Sequence, residues 1–167
     1  DLHLSIRRQR QMCIRDSKRI SGGFEAPISA TWSSGNRCTM LRVPRYMPNK
    51  SSSRRVEVRT PDPGCNPYLA FAAIFAAGLK GVEEGYEIPP EAEEDVNLMH
   101  PKERKAMGYP DLPKSLASAL ACFESSELMA EALGEHVFEF LIRSKHEEWT
   151  RYSRHVTPFE LRHYLSL

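Results

Sequence analysis

The chain has no long apolar run, no Cys-x-x-Cys pair, no marked excess of either charge and no internal repeat. Each absence removes a class of protein. The most apolar stretch, residues 68–79, covers 12 residues, and a bilayer-crossing helix needs roughly 20, so no membrane span is expected. Lys+Arg and Asp+Glu number 23 and 22, a balance that argues against a nucleic-acid partner or an anionic membrane surface. The cysteines at positions 13, 38, 65 and 122 are widely spaced. Neither a disulfide framework nor a zinc site is expected from them, and a reducing, cytoplasmic setting fits best.

Residues 1–17 (DLHLSIRRQRQMCIRDS) have no sustained period and no capping or turn logic, and the composition changes at Lys18. Codons of common sequencing-library adapters reproduce residues 7–17, and the apolar run is too short for a signal peptide. The expectation is that residues 1–17 are a translated adapter rather than native protein. They hold four basic residues (Arg7, Arg8, Arg10, Arg15) and two acidic ones (Asp1, Asp16), which leaves 19 against 20 and a formal charge of −1. Three cysteines then remain, Cys38, Cys65 and Cys122.

Residues 18–167 suffice for a single domain with a core. Strand candidates come first, at 28–32, 39–43 and 55–59, and helices follow, an order that indicates an α+β fold with antiparallel strands and then a helical layer. Between the last two strands RYMPNKSSS is a polar linking loop. Asn66 and Pro67 form a helix start, with Asn as N-cap and Pro at the first helical position. The helix that follows is apolar on all sides from Tyr68 to Leu79, so burial within protein is expected. Residues 85–113 read as a long acidic excursion punctuated by proline. Helices resume after Ser115, near Ser125 or Ser126, and after Gly134. Thr157, Pro158 and Glu160 form a capping box that opens a terminal helix.

Residues 36–81 carry most of the information. In RRVEVR, Arg55, Glu57 and Arg59 alternate with Val56 and Val58, so in a strand the charges share one face and the valines face a core. Alone, such a ladder would be an ordinary solvated sheet face. A cation–anion–cation row also suits a cleft for phosphates and a metal ion. Arg37 and Arg42 lie five positions apart. On one unbroken strand they would point to opposite faces, so joint service requires the strand to start after Arg37 or to contain a bulge.

These motifs stand in order with others: KR at Lys18 and Arg19, GGFEAP around Glu25, NRCTMLRVP, RRVEVRTPD, NPYLAFAAIFAAGLKG, LGEHVFEF and VTPFEL. The whole string, from Lys18 to Leu167, resembles the C-terminal part of the catalytic domain of type I glutamine synthetases, a family whose members are longer upstream. The ending ELRHYLSL is most similar to a branch of actinobacterial paralogues. The resemblance implies an ATP-dependent carbon–nitrogen ligase: glutamate–ammonia ligase acting through γ-glutamyl phosphate, with Mg2+ or Mn2+. Its substrates would be L-glutamate, ATP and ammonia, and the whole protein would form a homo-oligomer, a dodecamer. Such chemistry needs cations around phosphates and carboxylates on divalent metals, and arginine's fork suits both phosphate and carboxylate.

The same resemblance implies the roles of individual residues. Arg19 and Arg59 would hold substrate glutamate. Arg37 and Arg42 would serve ATP phosphates and the transferred phosphoryl group, with Arg37 also near glutamate, and Arg55 would lie on the ATP side. Glu57 would be a metal ligand. Glu25 would sit on a flap hinged at Gly22 and Gly23 and accept a proton from the ammonium substrate or its adduct. Asn97 stands where some members carry an adenylylated tyrosine, so that control is not expected here. Cys38 replaces a usual serine. The other metal carboxylates and the N-terminal domain of the family have no counterpart in the chain, so residues 18–167 alone are expected to be inactive. A paralogous ligase using a polyamine or another amine is the alternative. A catalytically dead structural relative is a third reading, which retention of Glu57 and the arginines disfavours.

Overall fold

In the computed structural model, residues 25–62 and 64–165 are described. Residues 1–17, Arg19, Gly22 and Gly23 lie outside them. The chain divides into two compact units, Asp1–Ser115 and Leu116–Leu167.

The first unit contains a three-stranded sheet of very short strands, β1 (Trp32–Ser33), β2 (Leu41–Arg42) and β3 (Glu57–Val58), in that spatial order. β2 and β3 pair antiparallel, whereas β1 and β2 pair parallel, a departure from the all-antiparallel expectation. The parallel pairing arises because the chain turns through residues 34–40 and re-enters in the same direction, with Leu41 N–H bonded to Thr31 O and Val43 N–H to Ser33 O. The first strand candidate divides in two. Residues 28–30 bridge to 110–112, through Ser29 opposite Asp111 and Leu112 N–H on Ile28 O, and β1 begins only at Trp32.

The acidic excursion supplies the core of this unit. Ala92, Val96 and Tyr109 are buried together with Met99 packed against them, although the surrounding composition is acidic and proline-rich. The segment is tied down along its length. Trp32 Nε1 donates to Pro89 O at 2.7 Å, and Glu91 Oε1 accepts from Ser33 Oγ, Ser34 N and Ser34 Oγ at 3.0, 2.6 and 2.7 Å. These donors hold the Glu91 carboxyl below its usual range, Ser34 contributing most. A short helix at Pro101–Ala106 (α2) starts from His100 in a capping box with Glu103. Its Arg104 is buried, with Nη1 donating to Met99 O at 2.7 Å and Nε to Asp111 Oδ1 at 3.0 Å.

The helix α1 (Pro67–Glu83) starts where the sequence predicts, with the Asn66 side chain accepting from Tyr68 N–H. Its predicted burial is not met: none of its residues is buried, and Tyr68, Phe71, Phe75, Leu79 and Val82 are exposed. Apolarity on all sides specifies what a helix can bury, and only a neighbouring element can bury it. One side of the helix, including Leu69 and Ile74, is half-buried, and none of it is fully covered among the described residues of this unit. Val56 is likewise 57% exposed, so the valine face of RRVEVR is only half realised, at Val58.

The second unit is helical: α3 (Leu116–Glu124), α4 (Glu127–Leu133), α5 (Glu135–Ser153) and α6 (Pro158–Tyr164). α3 and α4 both pack on α5, and Phe123 meets Phe138 at 4.9 Å between ring centroids. Ser126 caps α4, Gly134 at φ 74° separates α4 from α5, and Thr157 and Glu160 make the predicted capping box of α6. Gly134 occupies the left-handed region that a residue with a Cβ rarely enters, so a clean break there needs glycine.

Candidate active site

The β2–β3 ladder sets one half of the site. Arg42 and Glu57 are directly opposed in register. Arg42 Nη1 donates to Glu57 Oε1 and Oε2 at 3.1 and 3.0 Å, and Arg55 Nε donates to Oε1 at 3.3 Å. The Arg42 guanidinium, then that of Arg55, holds the Glu57 carboxyl below its usual range, so Glu57 is ionised at neutral pH. Arg42 is not spent on this pair. Its Nε is buried, and among the described residues no acceptor reaches it. A buried N–H without a partner is costly, and an anion beside it would remove that cost.

The other half gathers at Glu25. Arg37 Nη1 lies 3.7 Å from Glu25 Oε1, both side chains being more than half exposed, and Arg59 Nη2 donates to Glu25 O at 3.2 Å. Arg59 follows Glu57 by two residues, and side chains two apart on an extended strand share a face. Arg37 lies in a turn ahead of β2, which starts at Leu41, so the strand does begin after Arg37 as joint service with Arg42 requires. Thus Glu25, Arg37 and Arg59 come together, as do Arg42, Arg55 and Glu57. Arg19 lies outside the described residues.

Cys38, next to Arg37, is buried, and burial first and the Asp95 carboxylate second push its thiol up to about 11. It is a neutral packing group rather than a nucleophile. Sequence reasoning missed the excursion's part in the site. Asn97 Nδ2 donates to Ala26 O at 3.2 Å across 71 positions. The only local signal was the Asp-x-Asn spacing of Asp95 and Asn97, where the Asp95 side chain accepts from Asn97 N–H at 3.0 Å.

As a metal ligand, Glu57 fits in chemistry: it is an ionised hard oxygen donor among cations. It cannot form a site alone, and among the described residues no group of three or more His, Cys, Asp or Glu side chains could hold a metal ion. Among the described residues, too, no helix is long and apolar enough to cross a membrane.

A charged strand face with Arg42 and Arg55 on one carboxylate, and Arg37 beside a second, suits transfer chemistry on anionic substrates. Comparison with known proteins gives the class. The glutamine synthetase catalytic domain matches residues 16–164. Glutamine synthetase of Mycobacterium tuberculosis (strain H37Rv) is 58% identical over 154 residues, covering 92% of this chain and 34% of that protein. That of Thermotoga maritima is 40% identical over 154 residues, again covering 92% and 34%. Among solved structures, "Apo GmaS without ligand" superposes with a TM-score of 0.73 at 28% identity, over 98% of this chain and 36% of that one. "GmaS/ADP complex-Conformation 1" gives 0.72 at 30% identity, over 88% and 31%. The chain belongs to the glutamine synthetase family of ligases, within its catalytic domain. It spans about a third of the length of the curated relatives it matches.

Proposed function

We propose that the whole protein carrying this chain is an ATP-dependent glutamate–ammonia ligase. The γ-carboxylate of glutamate attacks the γ-phosphorus of ATP and ADP departs. Ammonia then attacks the acyl carbon of γ-glutamyl phosphate and inorganic phosphate leaves. Phosphoryl transfer of this kind is governed by positioning and charge neutralisation.

The observation that carries the reading is the arrangement around β2 and β3: Arg42 opposed to Glu57, its buried Nε without an acceptor among the described residues, and Arg55 beside it. Arg37, Arg42 and Arg55 would receive the phosphates, and Arg59, with Arg19, the carboxylates of glutamate. Glu25, close to Arg37 and Arg59, is a carboxylate able to take a proton from ammonium once substrate engages the arginines. Glu57 would hold Mg2+ or Mn2+ together with carboxylates from elsewhere in the protein. Such an ion, when bound, neutralises phosphate charge.

The acceptor is the finer question, because a polyamine or another amine would use the same arginines. The 58% identity to glutamine synthetases favours ammonia. Assay of the whole protein with glutamate, ATP and either ammonia or an amine tests this. Glutamine formed with stoichiometric phosphate release supports the reading, and preferential γ-glutamylation of an amine replaces it with the alternative. Residues 18–167 alone should give neither product, since Glu57 is a single metal carboxylate and two-metal phosphoryl transfer needs several. The whole protein is expected to assemble as a homo-oligomer, a dodecamer, measurable by light scattering.

A further inference from the structure

Glu25 holds a backbone conformation that its residue type disfavours: φ is 57°, in the left-handed region. A non-glycine residue there is strained and persists only where its surroundings over-determine it. Two consecutive carbonyls are gripped at this point. Arg59 Nη2 donates to Glu25 O at 3.2 Å, and Asn97 Nδ2 donates to Ala26 O at 3.2 Å. The two donors come from different parts of the chain, β3's continuation and the acidic excursion.

Asn97 is itself well anchored. Its own N–H is bonded to Asp95 Oδ1 at 3.0 Å, and its neighbour Val96 is fully buried in the core with Ala92 and Tyr109. Ala26, whose carbonyl it grips, is buried too, at 6% exposure. The orientation of the Asn97 amide follows from chemistry: turning it over would set Oδ1 against the Ala26 carbonyl oxygen. The amide keeps the donating orientation even though its Oδ1 is then buried and, among the described residues, without a donor. A side chain that leaves its own acceptor unsatisfied to donate to one particular carbonyl has that donation as its structural role.

We propose that Asn97 is a positioning residue: it holds the Glu25 segment in its left-handed conformation and so aims the Glu25 carboxylate at Arg37 and at the acceptor amine. Its catalytic consequence rests on the proposed proton-accepting role of Glu25, whereas the tether itself does not.

The test uses the whole enzyme with Asn97→Ala and Asn97→Asp. Both keep the Asp95 turn, which uses the backbone N–H of residue 97, and the second also keeps side-chain volume but places a carboxylate against the carbonyl. Hydrogen exchange of the amides from residue 25 to residue 31 is measured alongside the urea midpoint, and KM for ammonium is measured separately from KM for ATP and glutamate. Loss of one hydrogen bond of about 1 kcal/mol predicts exchange in this segment faster by roughly fivefold, with the urea midpoint lowered by no more than that single bond accounts for. The ammonium-dependent step should weaken while KM for ATP stays within about twofold, a split that general loosening of the fold would not produce. Unchanged exchange in both variants would overturn the tether. If Asn97→Ala lowers the urea midpoint by more than one hydrogen bond accounts for, Asn97→Asp carries the comparison. Faster exchange with an unaltered ammonium step would uphold the tether and remove the proton-accepting role from Glu25, so the two ideas fail separately.

Discussion

Arg42 and Glu57 face each other across the β2–β3 ladder, and one guanidinium nitrogen of Arg42 lies 3.1 and 3.0 Å from the two oxygens of Glu57. Arg55 adds a third contact, on Oε1, at 3.3 Å. The cation therefore occupies both oxygens of the carboxylate that would serve a metal ion. Under the proposed function, metal and nucleotide would have to re-share the charges already here: Arg42 would turn toward phosphate and Glu57 would exchange a guanidinium for the metal.

Replacing Glu57 should accordingly be severe. In the whole protein, Glu57→Ala is expected to weaken metal–nucleotide binding by more than about tenfold, because loss even of an outer partner costs roughly that much. Calorimetric titration of the magnesium–ATP complex checks this. Unaltered affinity would remove Glu57 from the metal site.

The same pair predicts a pH dependence. The carboxyl of Glu57 is held low by Arg42 and then Arg55, so the folded state binds its proton less readily than the unfolded chain does. Its contribution is complete above the unfolded carboxylate value and is lost as pH falls through the lowered folded value. Carbon-detected NMR titration should find Glu57 below ordinary glutamates, and Arg42→Ala should move it upward.

A second carboxylate has a structural rather than catalytic effect. Asp111 pairs with buried Arg104 at 3.0 Å and with Lys114 at 3.0 Å, and these cations hold it low, Arg104 first. Asp111→Ala would leave the Arg104 guanidinium, only 6% exposed, without its counter-charge. Breaking a fully buried pair costs roughly 3–5 kcal/mol. Asp111 is itself partly exposed, so about 2 kcal/mol is expected, read as a shift of the urea midpoint at pH 7. By the same sign argument the shift should shrink in acid, once Asp111 is protonated in the wild type.

Alkylation should separate the cysteines. With its thiol pushed up to about 11, Cys38 carries on the order of a hundredfold less thiolate at pH 8 than an ordinary cysteine. Exposed Cys122 should react with iodoacetamide first, and Cys38 only after denaturation. Mass mapping of the modified peptides gives the order.

The exposed face of α1 makes a further prediction. Phe71 and Phe75 stack on one another at 6.1 Å yet remain 58% and 65% exposed. Exposed apolar patches of this kind promote association. Phe75→Lys should change the stability of the 167-residue chain by less than about 0.5 kcal/mol and reduce its self-association in analytical ultracentrifugation.

Local chemistry was legible in the sequence wherever it acts over a few residues. Asn66 with Pro67, Ser126, Gly134, and Thr157 with Glu160 all mark helix boundaries where the structure has them, because a cap is satisfied by the side chain and backbone of its own turn. The alternation of RRVEVR was enough to bring Arg55 and Glu57 to one face. The family was legible too, since its motifs are long strings in a fixed order.

Only the tertiary structure decided the rest. The parallel pairing of β1 with β2, the core built by Ala92, Val96 and Tyr109 inside an acidic segment, and the grip of Asn97 on Ala26 join residues beyond the reach of a single turn or strand, the last pair 71 positions apart. No local propensity encodes such a meeting; it depends on which surfaces are left to bury once the turns are made. The same reason explains α1, whose twelve most apolar positions specify burial while its covering is a property of neighbours. Caps and alternation are determined within a turn or a strand, and contact is determined by the whole fold.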